Sequence, residues 1–120
     1  MQNELVVMCL CAQWCGVCRS YRAGFEALAS QHGASFHWID IEDEADWADW
    51  PDSLEVENFP CLMIRRGETV LFFGPMLPQP ALLERMLESF GSLSIEEARQ
   101  HANANDERRR WQAAAGFRRS

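Results

Sequence analysis

Residues 4–18, E-L-V-V-M-C-L-C-A-Q-W-C-G-V-C, decide the fold. Glu4 to Cys11 is an apolar, β-branched run of strand length, the kind that suits a strand buried on both faces. From Cys15 the pattern changes. Val17, Tyr21, Phe25, Leu28 and Ala29 recur at helical spacing, and Gly33 stands as the expected cap. A C-x-x-C pair therefore sits where a buried strand hands over to a helix. The first N–H groups of a helix lack partners and carry roughly half a positive charge, which favours a thiolate. A thiol placed there drops from about 8.5 toward about 7, a shift worth about 2 kcal/mol. Cys15, at the helix mouth, is the expected nucleophile. Cys18, one turn inside, is the expected resolving thiol, and Gly16 keeps the approach to Cys15 open.

Downstream, S-F-H-W-I-D-I (35–41) reads as a second strand. Asp40 to Glu57 holds nine acids and no base, with Trp47, Trp50 and Pro51 interleaved; a short helix and a loop are expected. Cys61–Arg65 and Glu68–Phe73 read as two strands joined at Arg66-Gly67. Pro80 to Phe90 is amphipathic, with Pro at its start and Gly91 beyond its end, a helix with both signals in place. The order β-α-β-(α)-β-β-α predicts an α/β layered domain over 1–91. Its first two strands should be parallel, joined by a crossover, and its last two a hairpin. Residues 92–120 begin with a capping box at Ser94-Ile95-Glu96-Glu97 and continue rich in Ala, Glu, Arg and Gln. They predict a helical extension whose large apolar residues are Ile95, Trp111 and Phe117.

The 120 residues, 48% hydrophobic and 24% charged, suit one globular domain and argue against disorder. No apolar run is long enough to cross a membrane, and the first residues lack a signal-peptide pattern, so a cytoplasmic setting is expected. The net charge of −7 disfavours nucleic acid and anionic membrane as partners. Residues 1–90 carry 5 Arg against 14 acids, whereas 91–120 carry 6 Arg against 4 acids. There is no Lys, which removes Schiff-base and P-loop chemistry. Five cysteines, four of them within ten residues, make a poor disulfide framework and point to redox or metal chemistry.

The stretches V-V-M-C-L-C-A-Q-W-C-G-V-C-R, N-F-P-C-L-M-I-R-R-G-E and V-L-F-F-G-P together resemble the thioredoxin family, over residues 4 to about 90. The resemblance implies a thioredoxin-like fold: a central mixed β-sheet flanked by helices, here with a C-terminal helix added. It implies that Pro60 is a cis-proline facing the Cys15–Cys18 pair, leaving the Phe59 backbone to pair with an extended substrate. Phe73-Gly74-Pro75 matches the family's third substrate loop, and Trp14, Val17, Phe59 and Pro75 would form an apolar rim. Two departures stand out. Cys9 occupies the position of the family's usual buried Asp, and Trp38 that of the Lys often paired with it. The linker is Gly-Val rather than Gly-Pro. The family's first strand and helix are expected to be missing ahead of Glu4, and the extension to cover part of their surface.

Thiol–disulfide exchange with protein substrates is the function implied, without a cofactor, and with a thioredoxin-reductase-like or glutathione-linked reductant as partner. The alternative is a redox-regulated binding module or adaptor, docking through the extension or the acidic tryptophan segment. Cys9 and Cys11 point to one side of the first strand, opposite Leu10. Core packing is their simplest role; the sharper one is that Cys9 lies beneath Cys18 as a third redox thiol. Cys61 also reads as core. A zinc or iron–sulfur site from Cys9, Cys11, Cys15 and Cys18 would need a tight wrap that the strand and helix oppose, so no metal is expected. Arg108-Arg109-Arg110 reads as a solvated face, or as a contact with the acidic segment.

Overall fold

The computed structural model describes residues 5–12, 14–32, 35–56 and 58–117. The elements run β1 (Leu5–Cys11), α1 (Gly16–Gln31), β2 (Ser35–Asp40), α2 (Glu44–Trp47), β3 (Cys61–Arg66) and β4 (Thr69–Pro75). They continue with α3 (Pro80–Gly91), α4 (Ile95–Ala102), α5 (Asp106–Trp111) and a 3₁₀ turn at Gln112–Ala114. Gly33, the expected cap of α1, lies outside the described residues.

The sheet order is β2-β1-β3-β4, with β1 parallel to β2 and antiparallel to β3, and β3 antiparallel to β4. The expected crossover and hairpin are both present. The hairpin turn is Gly67-Glu68 rather than Arg66-Gly67, so the strands extend to Arg66 and from Thr69. Gly67, at φ 58°, supplies the left-handed residue that such a turn needs.

β1 is buried on both sides, and its period of two separates two cores. Val7, Cys9 and Cys11 face α1 and α3, packing with Cys18, Tyr21, Phe25, Leu28, Leu83 and Leu87. Met8 and Leu10 face the other way, with Ile39, Trp50, Leu54, Met63, Val70, Trp111, Ala114 and Phe117. Between α1 and α3 the fit is close. A Cβ at Gly24 would run into the Pro80 ring. Gly24→Ala is therefore expected to lose about 1–2 kcal/mol in urea unfolding, because overpacking outweighs the gain in helix propensity.

The C-terminal extension closes the second core. It is two helices, not one, because Asn103 ends α4 and the Asn105 side chain caps α5 by accepting from the Arg108 N–H. The Gln112 amide binds edge strand β4 at one residue twice. It accepts from the Val70 N–H and donates to the Val70 carbonyl, each at 2.8 Å. His101 Nε2 stands 2.9 Å from the Leu71 carbonyl. Polar groups of an edge strand, otherwise open to another chain, are thereby satisfied from within. Trp47 and Trp50 stack at 4.9 Å, and Phe117 meets both rings edge-on. The acidic tryptophan segment is thus joined to the end of the extension. Arg110 lines a cleft with Asp52 and Glu55.

Candidate active site

The register carries three loops to one end of the sheet. Leu10 pairs with Cys61, and Cys61 with Pro75. The end of β1, the start of β3 and the end of β4 are therefore neighbours, and Trp14–Val17, Phe59-Pro60 and Gly74-Pro75 emerge together. The Phe59–Pro60 bond is cis, as the resemblance implied. Pro60 is buried, and its carbonyl accepts from the Met76 N–H at 3.0 Å. Gly74, at φ 157°, adopts a backbone that other L residues rarely take. Trp14 is 66% exposed and packs edge-on against Phe59 at 5.6 Å. Val17 and Pro75 are also exposed. A Cβ at Gly16 would have only Arg19 Nη2 nearby, at 3.8 Å, so the space over Cys15 is open.

Cys15 is the N-cap of the 16-residue α1, its backbone extended and its side chain making no cap hydrogen bond. It is half-buried, whereas Cys18 is closed off. Partial burial pushes the Cys15 thiol up. The Cys18 N–H, the Cys18 thiol, the Val17 N–H and the charge of Arg19 together outweigh that, and the net shift is downward. Cys18 moves the opposite way, raised first by burial and then by its hydrogen bonds with Cys11 and Cys15. Two thiols three residues apart are thus poised differently, one toward the thiolate and one held protonated. A lowered pKa means that the thiolate persists to lower pH. The rate of Cys15 alkylation by iodoacetamide is expected to rise with pH around a midpoint below the ordinary thiol value of about 8.5. A midpoint at or above that value would contradict the hydrogen-bonding just described.

The thiol that shares a cleft with Cys18 and shifts its titration is Cys11, two residues along from Cys9, the neighbour expected from the sequence. Cys9 Sγ in turn lies 3.5 Å from Cys11 Sγ. The residue opposite Cys9 in the sheet register is Trp38, whose ring carries the Arg22 guanidinium at 5.0 Å. Cys61 lies in the other core, away from this row. Burial, more than any contact, pushes its thiol up to about 12.

Two residues bear on the site in ways not read from the sequence. The period of β1 set Cys11 on the face of Cys9 and gave it a core role, but which of the two lies by Cys18 depends on how α1 packs on β1. Arg19 follows Cys18 directly, and its effect on Cys15 depends on α1 turning it back toward the helix mouth.

A family model described as Thioredoxin matches residues 1–85. A curated Streptomyces coelicolor protein named "Putative thioredoxin 2" is 28% identical over 99 residues, covering 81% of this chain and 71% of that one. Among solved structures, a mutant thioredoxin from Halobacterium salinarum superposes with a TM-score of 0.65 at 24% identity, over 77% of this chain and 79% of that chain. Spinach chloroplast thioredoxin f gives 0.65 at 20% identity, over 75% and 73%. The structural likeness speaks for the fold. The family model runs from the strand before the cysteine pair through the cis-proline and the first half of α3, and by that match the chain belongs to the thioredoxin family of thiol–disulfide oxidoreductases.

Proposed function

We propose that this chain exchanges disulfides with protein substrates through Cys15 and Cys18, in the cytoplasm, drawing electrons from a thioredoxin-reductase-like or glutathione-linked partner. The observation that carries this reading is the opposed poise of the two thiols. Cys15 is lowered and half-exposed at the mouth of α1, and Cys18 is raised and closed off beneath it. The Cys15 thiolate attacks one sulfur of a substrate disulfide and forms a mixed disulfide, releasing the other sulfur as a thiolate. Cys18 then loses its proton and attacks Cys15 Sγ. The Cys15–Cys18 bond forms and the substrate's second sulfur leaves. Two electrons pass to the substrate, and both of its sulfurs end as thiols.

Trp14, Val17, Phe59 and Pro75 supply an apolar seat for an extended segment. The backbone at Phe59, before the cis-proline, is the pairing edge, and Gly74 lets the incoming chain approach. No carboxylate occupies the Cys9 position, so the proton of Cys18 has another exit. A cleft of about 550 Å³, lined by Cys11, Cys18, Arg19, Arg22, Trp38 and Asp40 among others, opens beside it. Water in that cleft is the acceptor this reading assigns. The adaptor alternative is weakened by the engagement of Trp47 and Trp50 with Phe117, which commits both rings to the chain's own core, Trp50 buried and Trp47 half-buried.

Insulin reduction with dithiothreitol tests the exchange, and a Cys18→Ser variant tests who is attacked. The variant is expected to stall as mixed disulfides through Cys15, recoverable on non-reducing gels from many substrates. A variant that captures no substrate, beside a wild type that does not accelerate insulin reduction, would refute the reading.

A further inference from the structure

Four sulfurs stand in a row from the surface inward. Cys15 packs against the buried cluster that holds Cys18, Cys11 and Cys9; Cys18 and Cys11 line one cleft; and Cys11 Sγ lies 3.5 Å from Cys9 Sγ. Exchange between Cys15 and Cys18 uses only the outer two. Cys11 and Cys18 are 2% and 1% exposed, so no substrate protein reaches Cys11, but its neighbour Cys18 becomes a disulfide sulfur in every catalytic cycle. Close by, the Tyr21 hydroxyl is buried without a hydrogen-bond partner, within electrostatic reach of Cys9 and Cys11. Among the described residues no group of three or more His, Cys, Asp or Glu side chains is arranged to hold a metal ion. What this row can do among its own members is exchange.

We propose that Cys11 is a third redox thiol, which attacks Cys18 in the oxidised site, forms a Cys11–Cys18 disulfide and frees Cys15. The proposal rests on the Cys15–Cys18 exchange proposed above and deepens it. The step is an isomerisation. The Cys15–Cys18 bond breaks and the Cys11–Cys18 bond forms. The Cys11 proton passes to water in the cleft that Cys11 lines, Cys15 departs as a thiolate, and no electrons enter or leave. Cys18 is the sulfur attacked because it, and not Cys15, lines the same cleft as Cys11. Cys15 is the better leaving group because its anion is stabilised at the helix mouth, and lower-pKa thiols leave faster. The hydrogen bond with Cys9 and then burial hold the Cys11 thiol protonated, so the exchange is slow at neutral pH and quickens as pH rises; it trades that buried thiol for a partly exposed anion. Its consequence is that the oxidised protein keeps a reactive surface thiol and can still form a mixed disulfide, with a protein or with glutathione. Such an oxidised chain would act as a monothiol, where a two-cysteine site would be spent.

The test uses the wild-type chain, oxidised with one equivalent of diamide, then treated natively with iodoacetamide and mapped after chymotryptic cleavage at Trp14. The expected result is a population in which Cys15 is alkylated and the fragment holding Cys11 is disulfide-linked to the one holding Cys18. In Cys15→Ser, which has four cysteines, diamide is expected to leave two free thiols and the same cross-link. Adding Cys11→Ala is expected to remove the cross-link, and adding Cys9→Ala to preserve it. A wild type holding only the Cys15–Cys18 disulfide, with Cys15 unreactive, would overturn the proposal and leave the exchange function standing. So would a cross-link that survives Cys11→Ala. A wild type that forms no disulfide at all would overturn both.

Discussion

Cys15→Ser is expected to bring insulin reduction down to the rate of dithiothreitol alone, with the fold retained. A serine hydroxyl is not ionised at neutral pH and cannot form a mixed disulfide, so the first step is lost outright rather than slowed. Cys18 does not substitute for it. That thiol is 1% exposed and raised by burial and by its two thiol neighbours, which leaves it inaccessible to a protein disulfide and protonated. Stability should not fall with the activity. Cys15 is the N-cap of α1 and makes no cap hydrogen bond, and serine is among the best N-cap residues. The unfolding free energy is therefore expected to stay level or rise, by up to about 1 kcal/mol. The paired readout matters. Lost activity with intact urea unfolding assigns the loss to the nucleophile, and residual activity above background would mean that another thiol carries the reaction.

Phe117→Ala is expected to cost about 3–5 kcal/mol in urea unfolding, the range for emptying a buried aromatic site. Phe117 is 2% exposed and sits edge-on to both Trp47 and Trp50, at 6.1 and 4.9 Å. Its removal opens a hole that two stacked indoles cannot fill by small shifts. A domain of this size holds about 5–15 kcal/mol in all, so the loss is a large share of the total. The intrinsic tryptophan fluorescence should change with it, because both rings lose a neighbour. Thiol chemistry in the remaining folded protein should be unaffected, since Phe117 belongs to the core on the far side of the sheet from Cys9, Cys11 and Cys18. A cost below about 1 kcal/mol, the level of an ordinary surface substitution, would mean that the C-terminal segment is not part of the core.

Most of the architecture was legible because it is written in short-range patterns. The alternation in β1 marks which residues share a face, and it put Cys9 and Cys11 together, opposite Leu10. The apolar spacing of α1 and the proline and glycine around α3 mark helices. The hairpin was legible from its Arg-Gly pair, although the turn lies one residue later, because the left-handed conformation falls on Gly67 itself. The tail was legible as helical but not as two helices: Asn103 and Asn105 act as caps only when the chain bends back on β4 between them.

The sequence by itself determined that a dithiol sits at a strand-to-helix junction, since residue period and peptide dipoles act within a few positions of Cys15. Only the tertiary structure decided that Cys11 rather than Cys9 lines the cleft beside Cys18, because one pleat of a strand separates the two and the packing of α1 on β1 selects between them. It also decided that Gln112 would occupy the edge of β4 at Val70, 42 residues earlier in the chain. Contacts of that separation depend on how two layers meet, and no local pattern of apolar and polar residues contains that information.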